Sequence, residues 1–499
     1  MTPAGRRVGS PAVELLLPAV TLSDAAAAVR AEVRGDDGRL LTDASYDSRA
    51  VEPGSLFFCI VGEHVDGHRF APDALAAGAG AIVVERWLPL GAPQALVPSV
   101  RGSIGPMSSV LFGRPAEALT TIGVTGTNGK TTTTYLLEAI FRAAGSRPGV
   151  IGTNGARIDG SPIELVRTTP EAPDLHRLLA RMRSAGVRMV ALEVSSHALA
   201  QQRVGGVLFD VAVFTNLSQD HLDYHGTMGT YLDAKAALFT PSHAARGVLN
   251  ADDPSGRALI GRAAIPVVTY GVDRDADLRA SDVAVDAGGI SFRVEGVQVR
   301  STLRGRFNVS NCLAAMGSAR EVGISLDTAA DALGEVGDIP GRMETIDAGQ
   351  EFLVVVDYAH TPDSIRVVLR GARSLAAGRV IVVFGCGGDR DRAKRSPMGQ
   401  AATSSADLTV ITTDNPRSED PLAIIREIVP GAVAGGGEYV VEPDRRAAIR
   451  LAVREAKPDD VVVIAGKGHE PYQEVAGTVV PFDDRSIARD ELGSLLEEA

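Results

Sequence analysis

Short continuous apolar runs alternate with stretches of helical periodicity along most of the chain, and that alternation predicts the fold class. From Leu40 onward the runs at Gly54–Val61 and Ala81–Val84 are bounded by turn residues and read as buried strands. Further runs follow at Val187–Leu192, Val211–Phe214, Gly247–Leu249 and Pro266–Tyr270, and a last group at Phe352–Val356, Val380–Phe384, Leu408–Ile411, Tyr439–Val441 and Val461–Ile464. Strands buried on both faces read this way because helices cover both sides of the sheet. Between them the spacing predicts helices over Ser23–Arg34, Asp73–Ala77, Tyr231–Phe239, Val309–Val322 and Leu326–Leu333. Another follows Lys130, with Leu136, Leu137, Ile140 and Phe141 on one face. Residues Ala280–Arg300 alternate Val, Ile and Phe with glycines, as an antiparallel ribbon does. Arg101–Pro115 carries Gly102, Gly105, Pro106, Gly113 and Pro115 and reads as a linker or an interrupted helix. The expected class is α/β with mostly parallel sheets. Three domains are expected, over residues 1–115, 116–340 and 341–499.

The stretch Ile122–Thr134 sharpens this picture. A β-branched strand leads into Gly126-Thr127-Asn128-Gly129, then Lys130, Thr131 and Thr132 open a helix. Backbone amides at a helix N-terminus face an anion, a lysine supplies a point charge and a threonine hydroxyl can ligate Mg²⁺. The usual phosphate-loop spacing would place its first glycine at position 124, which is Val124. The loop therefore points to ATP or GTP without deciding the chemistry.

Composition removes other classes. The 499 residues carry a net charge of −12, which argues against a nucleic-acid backbone as partner. Only 4% are aromatic, too few for stacking platforms along a single strand. Cys59, Cys312 and Cys386 are far apart and lack zinc spacing, so a reducing compartment is expected. No apolar stretch approaches the ~18 residues of a membrane span, and a cytoplasmic protein is expected.

Several polar clusters follow strand ends, where ligands of open α/β sheets collect. Glu193 directly follows Leu192, placed as a Mg²⁺ ligand or as an ordinary solvated glutamate. Asp220, His221, Asp223 and His225 crowd the turn after Phe214. Zinc, Mg²⁺ or Mn²⁺ and a simple capped turn all remain open for them. Lys235 sits mid-helix, where a surface lysine is the usual outcome.

Taken in order, Gly126–Thr131, Glu193-Val-Ser-Ser-His197, Asn216–His225, Tyr231–Phe239, Asn308-Val-Ser-Asn311 and Gly341-Arg-Met-Glu344 resemble the motifs of the Mur ligase family. The likeness runs from about Thr42 to the C-terminus and accounts for the loop spacing, which is the family's own form. It implies a small α/β UDP-binding domain, a central phosphate-loop domain and a C-terminal Rossmann-like domain. It also implies an ATP- and Mg²⁺-dependent amide ligase, acting as a monomer on small-molecule substrates. Within the family the chain is most similar to members that extend UDP-N-acetylmuramoyl-L-alanyl-D-glutamate by the third residue of the stem peptide.

The resemblance carries residue roles with it. Lys235 is expected to be carbamylated, and with Glu193, His221 and Thr131 to hold metal; Lys130 is expected on the transferred phosphates. Gly126, Thr127, Asn128, Gly129, Thr131 and Thr132 are expected around ATP, with Asn308, Asn311, Arg342 and Asp357 completing that site. Ser48, Glu63, His64 and Val65 match the uridine surface. Thr168, Thr169, Ser195, Gln201 and Arg203 match the muramoyl-dipeptide contacts. The turn Asp414-Asn415-Pro416-Arg417, with Arg390, Gly466 and Glu470, resembles the meso-diaminopimelate site, where an arginine grips the carboxylate that lysine lacks. A lysine-adding member, folylpolyglutamate synthase and a regulatory phosphate-loop ATPase are the alternatives. The last leaves the turns at Asp414–Arg417 and Gly466–Glu470 without a task.

Overall fold

The computed structural model describes residues 18–62, 65–286 and 288–498, so the expected contacts Glu63 and His64 lie outside the described residues. The chain forms two compact units. The first runs to Gly123 and adds Gly145–Val211 and Thr240–Ala245; the second holds Val124–Ala144, Ala212–Phe239 and everything from Arg246 onward.

In the first unit a five-stranded sheet runs in the order Glu32–Arg34, Gln94–Leu96, Ala81–Val84, Ser55–Phe58, Asp43–Ser45. Only its first pair is antiparallel. All side chains of Ser55–Phe58 and Ala81–Val84 are buried, as two covered faces require. The expected Ser23–Arg34 helix is shorter, Leu22–Ala27. The chain turns through Arg30 at φ 55° and supplies the edge strand Glu32–Arg34 instead, because pairing with Gln94–Leu96 outweighs local helix propensity. Arg101–Pro115 is mostly helix, Val100–Leu111, capped by Ser99. Its glycines serve packing, since a Cβ on Gly105 would lie 2.4 Å from the Gly205 carbonyl oxygen. Pro148–Gly152, Gly155–Ile158 and Ser161–Ile163 form an antiparallel meander, with Met189–Glu193 parallel to its first strand.

The helix Ala172–Ser184 of this unit places His176 fully inside, Nε2 2.9 Å from the Gly205 carbonyl oxygen. Burial drives its imidazole down to about 4. The unfolded chain takes up that proton near the ordinary value of about 6.5. Between those two values the unfolded state binds more protons, so stability is lost as pH falls through the window, by roughly 2 kcal/mol at about pH 5. The drop in melting temperature from about pH 7 to about pH 5 is therefore expected to be smaller in His176→Gln than in the parent, and thermal scans at the two pH values check it.

The second unit contains the helix Lys130–Ala143, the strand Ala244–Asn250 from Arg246 onward, and the strands Val267–Gly271 and Leu278–Arg279, which run parallel to it in turn. The expected ribbon is three-stranded: Ser281–Asp286, Gly289–Val294 and Val297–Ser301. Helices Phe307–Glu321 and Leu326–Gly334 follow. A six-stranded sheet then runs in the order Glu344–Ile346, Leu353–Asp357, Val461–Ala465, Val380–Phe384, Leu408–Ile411, Glu438–Val441, antiparallel only at its first pair. Apolar clusters cover both faces, one around Val355, Val382 and Ile428, the other around Val356, Val383 and Ile449. The carboxyl ends of four central strands, Asp357, Phe384, Ile411 and Ala465, thus share one edge, the one where such sheets bind ligands. The cysteines are buried and unbridged, and burial pushes each thiol up to about 12.

Candidate active site

In the second unit the phosphate loop is built on close backbone approaches. Gly126 has φ 147° and a Cβ there would stand 1.8 Å from Thr215 Oγ1; Gly129 has φ 84° and a Cβ would stand 2.5 Å from Asn311 Oδ1. Both positions therefore exclude a side chain. The Thr127 amide donates to the Asn216 carbonyl at 2.8 Å, and the Asn128 amide to Asn216 Oδ1 at 2.9 Å. Thr215 Oγ1 donates to the Asn128 carbonyl at 2.6 Å. These bonds fix the loop onto Thr215–Ser218 and leave the start of the helix at Lys130 open to an anion. Lys130 is folded back, Nζ donating to the carbonyls of Gly126 and Thr127 at 3.0 and 2.8 Å. Thr132 is buried on the first turn.

Thr131 Oγ1 accepts a hydrogen bond from Arg342 Nη2 at 2.9 Å, and the Arg342 guanidinium lies 4.7 Å from the Tyr358 ring centre. Asp357 fixes the backbone beside it, accepting from the amides of Met343 and Ala359, each at 2.8 Å. Burial pushes the Asp357 carboxyl up, opposed by Arg342. Asn311 Nδ2 donates to Asn308 Oδ1 at 2.7 Å, and Asn308 Nδ2 to the Arg304 carbonyl at 2.7 Å. The structure thus gathers Thr131, Arg342, Asp357 and Asn311 around one loop.

Lys235 is not a surface lysine. It is fully buried, its Nζ donates to the Gly126 carbonyl at 2.8 Å and lies 4.5 Å from the Tyr231 ring centre. Burial, reinforced by the Lys130 charge, pushes its ammonium well below the usual lysine value, while Asp220 opposes the shift. The downward shift favours the neutral amine, the form of a lysine that can add CO₂ to give a carbamate. Beside it, Asp220 and Lys394 are both buried. Asp220 has His221 Nε2 at 3.4 Å, His360 Nε2 at 3.6 Å and Lys394 Nζ at 3.7 Å. Burial works against the Asp220 charge, but His360, Lys394 and His221 hold its carboxyl far below the usual range. His360 and Lys394 escaped the sequence reading; the polar Asp357–Asp363 and Gly387–Lys394 turns after two strands were the available signal. Among the described residues no three His, Cys, Asp or Glu side chains are grouped as metal ligands are.

At the far strand ends, Asn415 is buried and ties three turns together. Its Nδ2 donates to Glu470 Oε2 at 2.8 Å, and its Oδ1 accepts from the Glu474 amide at 3.0 Å and from Lys467 Nζ at 3.3 Å. Tyr358 donates its hydroxyl to Glu470 Oε1 at 3.3 Å. Burial, then the neighbouring Asp414, push the Glu470 carboxyl up. Arg417 takes φ 54°, and its Nη1 donates to the Gly388 carbonyl at 2.7 Å. Gly388 has no room for a side chain, since its Cβ would meet the Pro416 carbonyl oxygen at 1.9 Å; Gly466, at φ 114°, packs on Asp414 in the same way. Arg390 is exposed on the adjoining loop, bonded to its neighbour's carbonyl. All seven expected amino-acid contacts lie on these interlocked turns. The hairpin Tyr472–Val475 with Thr478–Pro481, which completes them, was missed. Its turn is Ala476-Gly477, both at positive φ, and only the glycine signals it.

The first unit groups another set. Thr169 Oγ1 donates to the Glu193 carbonyl at 2.8 Å and accepts from the Ser195 amide at 3.1 Å. Arg203 Nη1 donates to the Thr169 carbonyl at 3.2 Å and Arg203 Nη2 to Gln201 Oε1. Glu193 is buried at its strand end, its carboxylate accepting from the Thr153 amide and hydroxyl at 2.9 and 3.0 Å. Thr153 also bonds Thr168, at 3.2 Å. Ser48 opens a short 3₁₀ turn capped by Asp47, and Val65 is exposed.

Three family models match the chain: Mur ligase family, catalytic domain, over residues 42–95; Mur ligase middle domain, over 124–319; and Mur ligase, glutamate ligase domain, over 341–468. The chain is 49% identical over 457 residues to a UDP-N-acetylmuramoyl-L-alanyl-D-glutamate–2,6-diaminopimelate ligase of Geobacillus thermodenitrificans, covering 89% of this chain and 93% of that protein. It is 46% identical over 468 residues to the same-named protein of Streptomyces avermitilis, covering 91% and 92%. A solved structure of a ligase of that name superposes with a TM-score of 0.69 at 35% identity, over 96% of this chain and all of that one. MurF from Acinetobacter baumannii shares the fold at 18% identity, with a TM-score of 0.66 over 97% of this chain and all of that one.

Proposed function

The chain belongs to the Mur ligase family, and from that premise we propose that it uses ATP to join meso-diaminopimelate to the D-glutamyl carboxylate of UDP-N-acetylmuramoyl-L-alanyl-D-glutamate. The observation that carries the choice of amino acid is the interlocked set of strand-end turns, where Arg417 stands over Gly388 and Asn415 is bonded to Glu470. Arg417 offers a planar fork to a carboxylate, and Glu470 an anion to an ammonium group. A lysine substrate has no second carboxylate to meet that fork.

In this reading residues 1–115 receive the uridine end, through Ser48, Val65 and the neighbouring Glu63 and His64. Residues 116–340 hold ATP, and 341–499 bring the amino acid. Thr168, Thr169, Ser195, Gln201 and Arg203 receive the muramoyl dipeptide. The enzyme acts as a monomer in the cytoplasm, and among the described residues no helix is long and apolar enough to cross a membrane.

Lys130 leaves its two loop carbonyls and binds the phosphates, where its charge stabilises the transferred phosphoryl group. A carboxylate oxygen of the D-glutamyl residue attacks the γ-phosphorus and ADP departs. The acyl phosphate then takes the amine of meso-diaminopimelate at its carbonyl carbon. The tetrahedral intermediate loses a proton from nitrogen and expels phosphate. Thr131, His221 and the Lys235 carbamate, all in the second unit, are the residues that would hold Mg²⁺; their mainly hard oxygen donors suit that ion. When bound, Mg²⁺ offsets the crowding of phosphate charge.

Labelling the D-glutamyl carboxylate with ¹⁸O tests the route. Inorganic phosphate released during ligation is expected to carry one labelled oxygen, and unlabelled phosphate would exclude the acyl phosphate. Thr131→Val is expected to lower kcat on the order of a hundredfold and to raise the Mg²⁺ concentration needed for half-maximal rate. A Mg²⁺ titration of both enzymes reads this, and an unchanged midpoint contradicts the role of the hydroxyl.

A further inference from the structure

The amino-acid turns rest on a side chain that the reaction itself does not use. Arg445 is fully buried at the start of the helix Arg445–Glu455, paired with Asp484, also fully buried, at the start of the helix Asp484–Glu498. The pair is bidentate: Nε donates to Oδ1 at 2.8 Å and Nη2 to Oδ2 at 2.6 Å. Two further bonds leave the same guanidinium. Nη1 donates to the Thr413 carbonyl and Nη2 to the Ala465 carbonyl, each at 3.0 Å. Thr413 immediately precedes Asp414–Arg417, and Ala465 immediately precedes Gly466–Glu470. One planar group therefore bonds the last residue before each turn. Where the turns meet, a Cβ on Gly466 would lie 2.6 Å from Asp414 Oδ2 and 3.9 Å from Arg445 Nη2.

A buried ion pair is weak evidence for stability, because desolvation of both charges offsets much of their attraction. The two carbonyl bonds give this pair a different consequence. Neither strand end belongs to the other's chain segment, so their spacing is set by packing and by whatever bridges them. We propose that Arg445, oriented by Asp484, is a positioning residue for the amino-acid substrate: it fixes the distance between the Arg417 turn, which takes a carboxylate, and the Glu470 turn, which takes an ammonium group. This rests on the assignment of meso-diaminopimelate made above. The spacing of the two turns matters because displacements of about 1 Å at such contacts cost up to a hundredfold.

Two variants separate positioning from folding. Arg445→Lys keeps the charge but loses the fork, since one ammonium cannot span two carbonyls and a carboxylate in a plane. The double variant Arg445→Met with Asp484→Leu replaces the pair by apolar groups, which buried sites often tolerate without loss of stability. Both are expected to raise KM for meso-diaminopimelate tenfold or more, on the order of the misplacement cost. KM for ATP and for the UDP-muramoyl-dipeptide should stay within about twofold, and kcat at saturating amino acid should change little. A purely structural role would lower the active fraction, and thus kcat, without selecting one substrate. Either variant with a melting temperature near the parent's and an unchanged KM for meso-diaminopimelate overturns the proposal, as does an equal rise in all three KM values. The parent enzyme assayed alongside keeps the two readings apart: failure of the parent to use meso-diaminopimelate refutes the proposed function, whereas a normal parent with unaffected variants refutes only this inference.

Discussion

Lys235→Ala is expected to lose ligase activity by a thousandfold or more, beyond the hundredfold-to-thousandfold typical of one lost electrostatic contact, and to regain part of it in short carboxylates such as formate or acetate. The side chain is buried beside the phosphate loop, on the Gly126 carbonyl, close enough to Lys130 that a second ammonium there is disfavoured. As an amine it adds nothing attractive to a site that must gather ATP, a carboxylate and a metal. As a carbamate it becomes an anion with two oxygen donors. Alanine leaves a space that a small carboxylate can enter. Lys235→Met fills that space, so it should be equally inactive and resist rescue. Initial rates with and without added carboxylate read both outcomes. Parent-like turnover in Lys235→Ala, or equal rescue of the methionine variant, contradicts the carbamate role. Activity of the parent enzyme should also fall after exhaustive removal of CO₂ and return with bicarbonate.

The second large effect concerns Arg417. Its backbone occupies the left-handed region, which a long side chain adopts at a cost and which marks positions fixed by their surroundings. The surroundings here are the bonds of its amide to the Glu474 carbonyl, at 3.0 Å, and of the Ala476 amide to its own carbonyl, at 2.7 Å. They aim the guanidinium, about a fifth exposed, along the Gly388 loop. Truncating such a charged contact costs about 2–5 kcal/mol. Arg417→Ala is expected to raise KM for meso-diaminopimelate at least thirtyfold, in line with the lower end of that range. KM for ATP should not follow, because the proposed nucleotide contacts, Thr131 and Arg342, lie on other loops. Arg417→Lys should recover little, since it restores charge without the bidentate geometry. Steady-state kinetics with each substrate varied in turn check this, and a uniform loss across substrates would place Arg417 in the scaffold instead.

Much of this was legible in the sequence because it is local. Continuous apolar runs gave the parallel strands, and Gly126–Thr131 gave the phosphate loop from its glycines and lysine alone. What was not legible depends on partners distant in sequence. Lys235 reads as an ordinary helical lysine until Tyr231 and the Gly126 carbonyl enclose it. Asp220 reads as one polar residue among several until His360 and Lys394 arrive from other strand ends. Gly105 reads as a helix breaker, yet it is required by the Gly205 backbone lying against the helix Val100–Leu111. Arg445 opens an ordinary helix remote in sequence from either motif, and gains its meaning from two carbonyls that only the sheet brings together. The family resemblance supplied roles for many of these positions, and the packing supplies the physical reason for some of them.

The amino acid joined can be read directly in a competition. Purified enzyme given ATP, Mg²⁺, the UDP-muramoyl-dipeptide and an equimolar mixture of meso-diaminopimelate and lysine should yield one new product, with the mass of the diaminopimelate adduct. A product carrying lysine in equal or greater amount, or ATP hydrolysis with no amide product, would contradict the account.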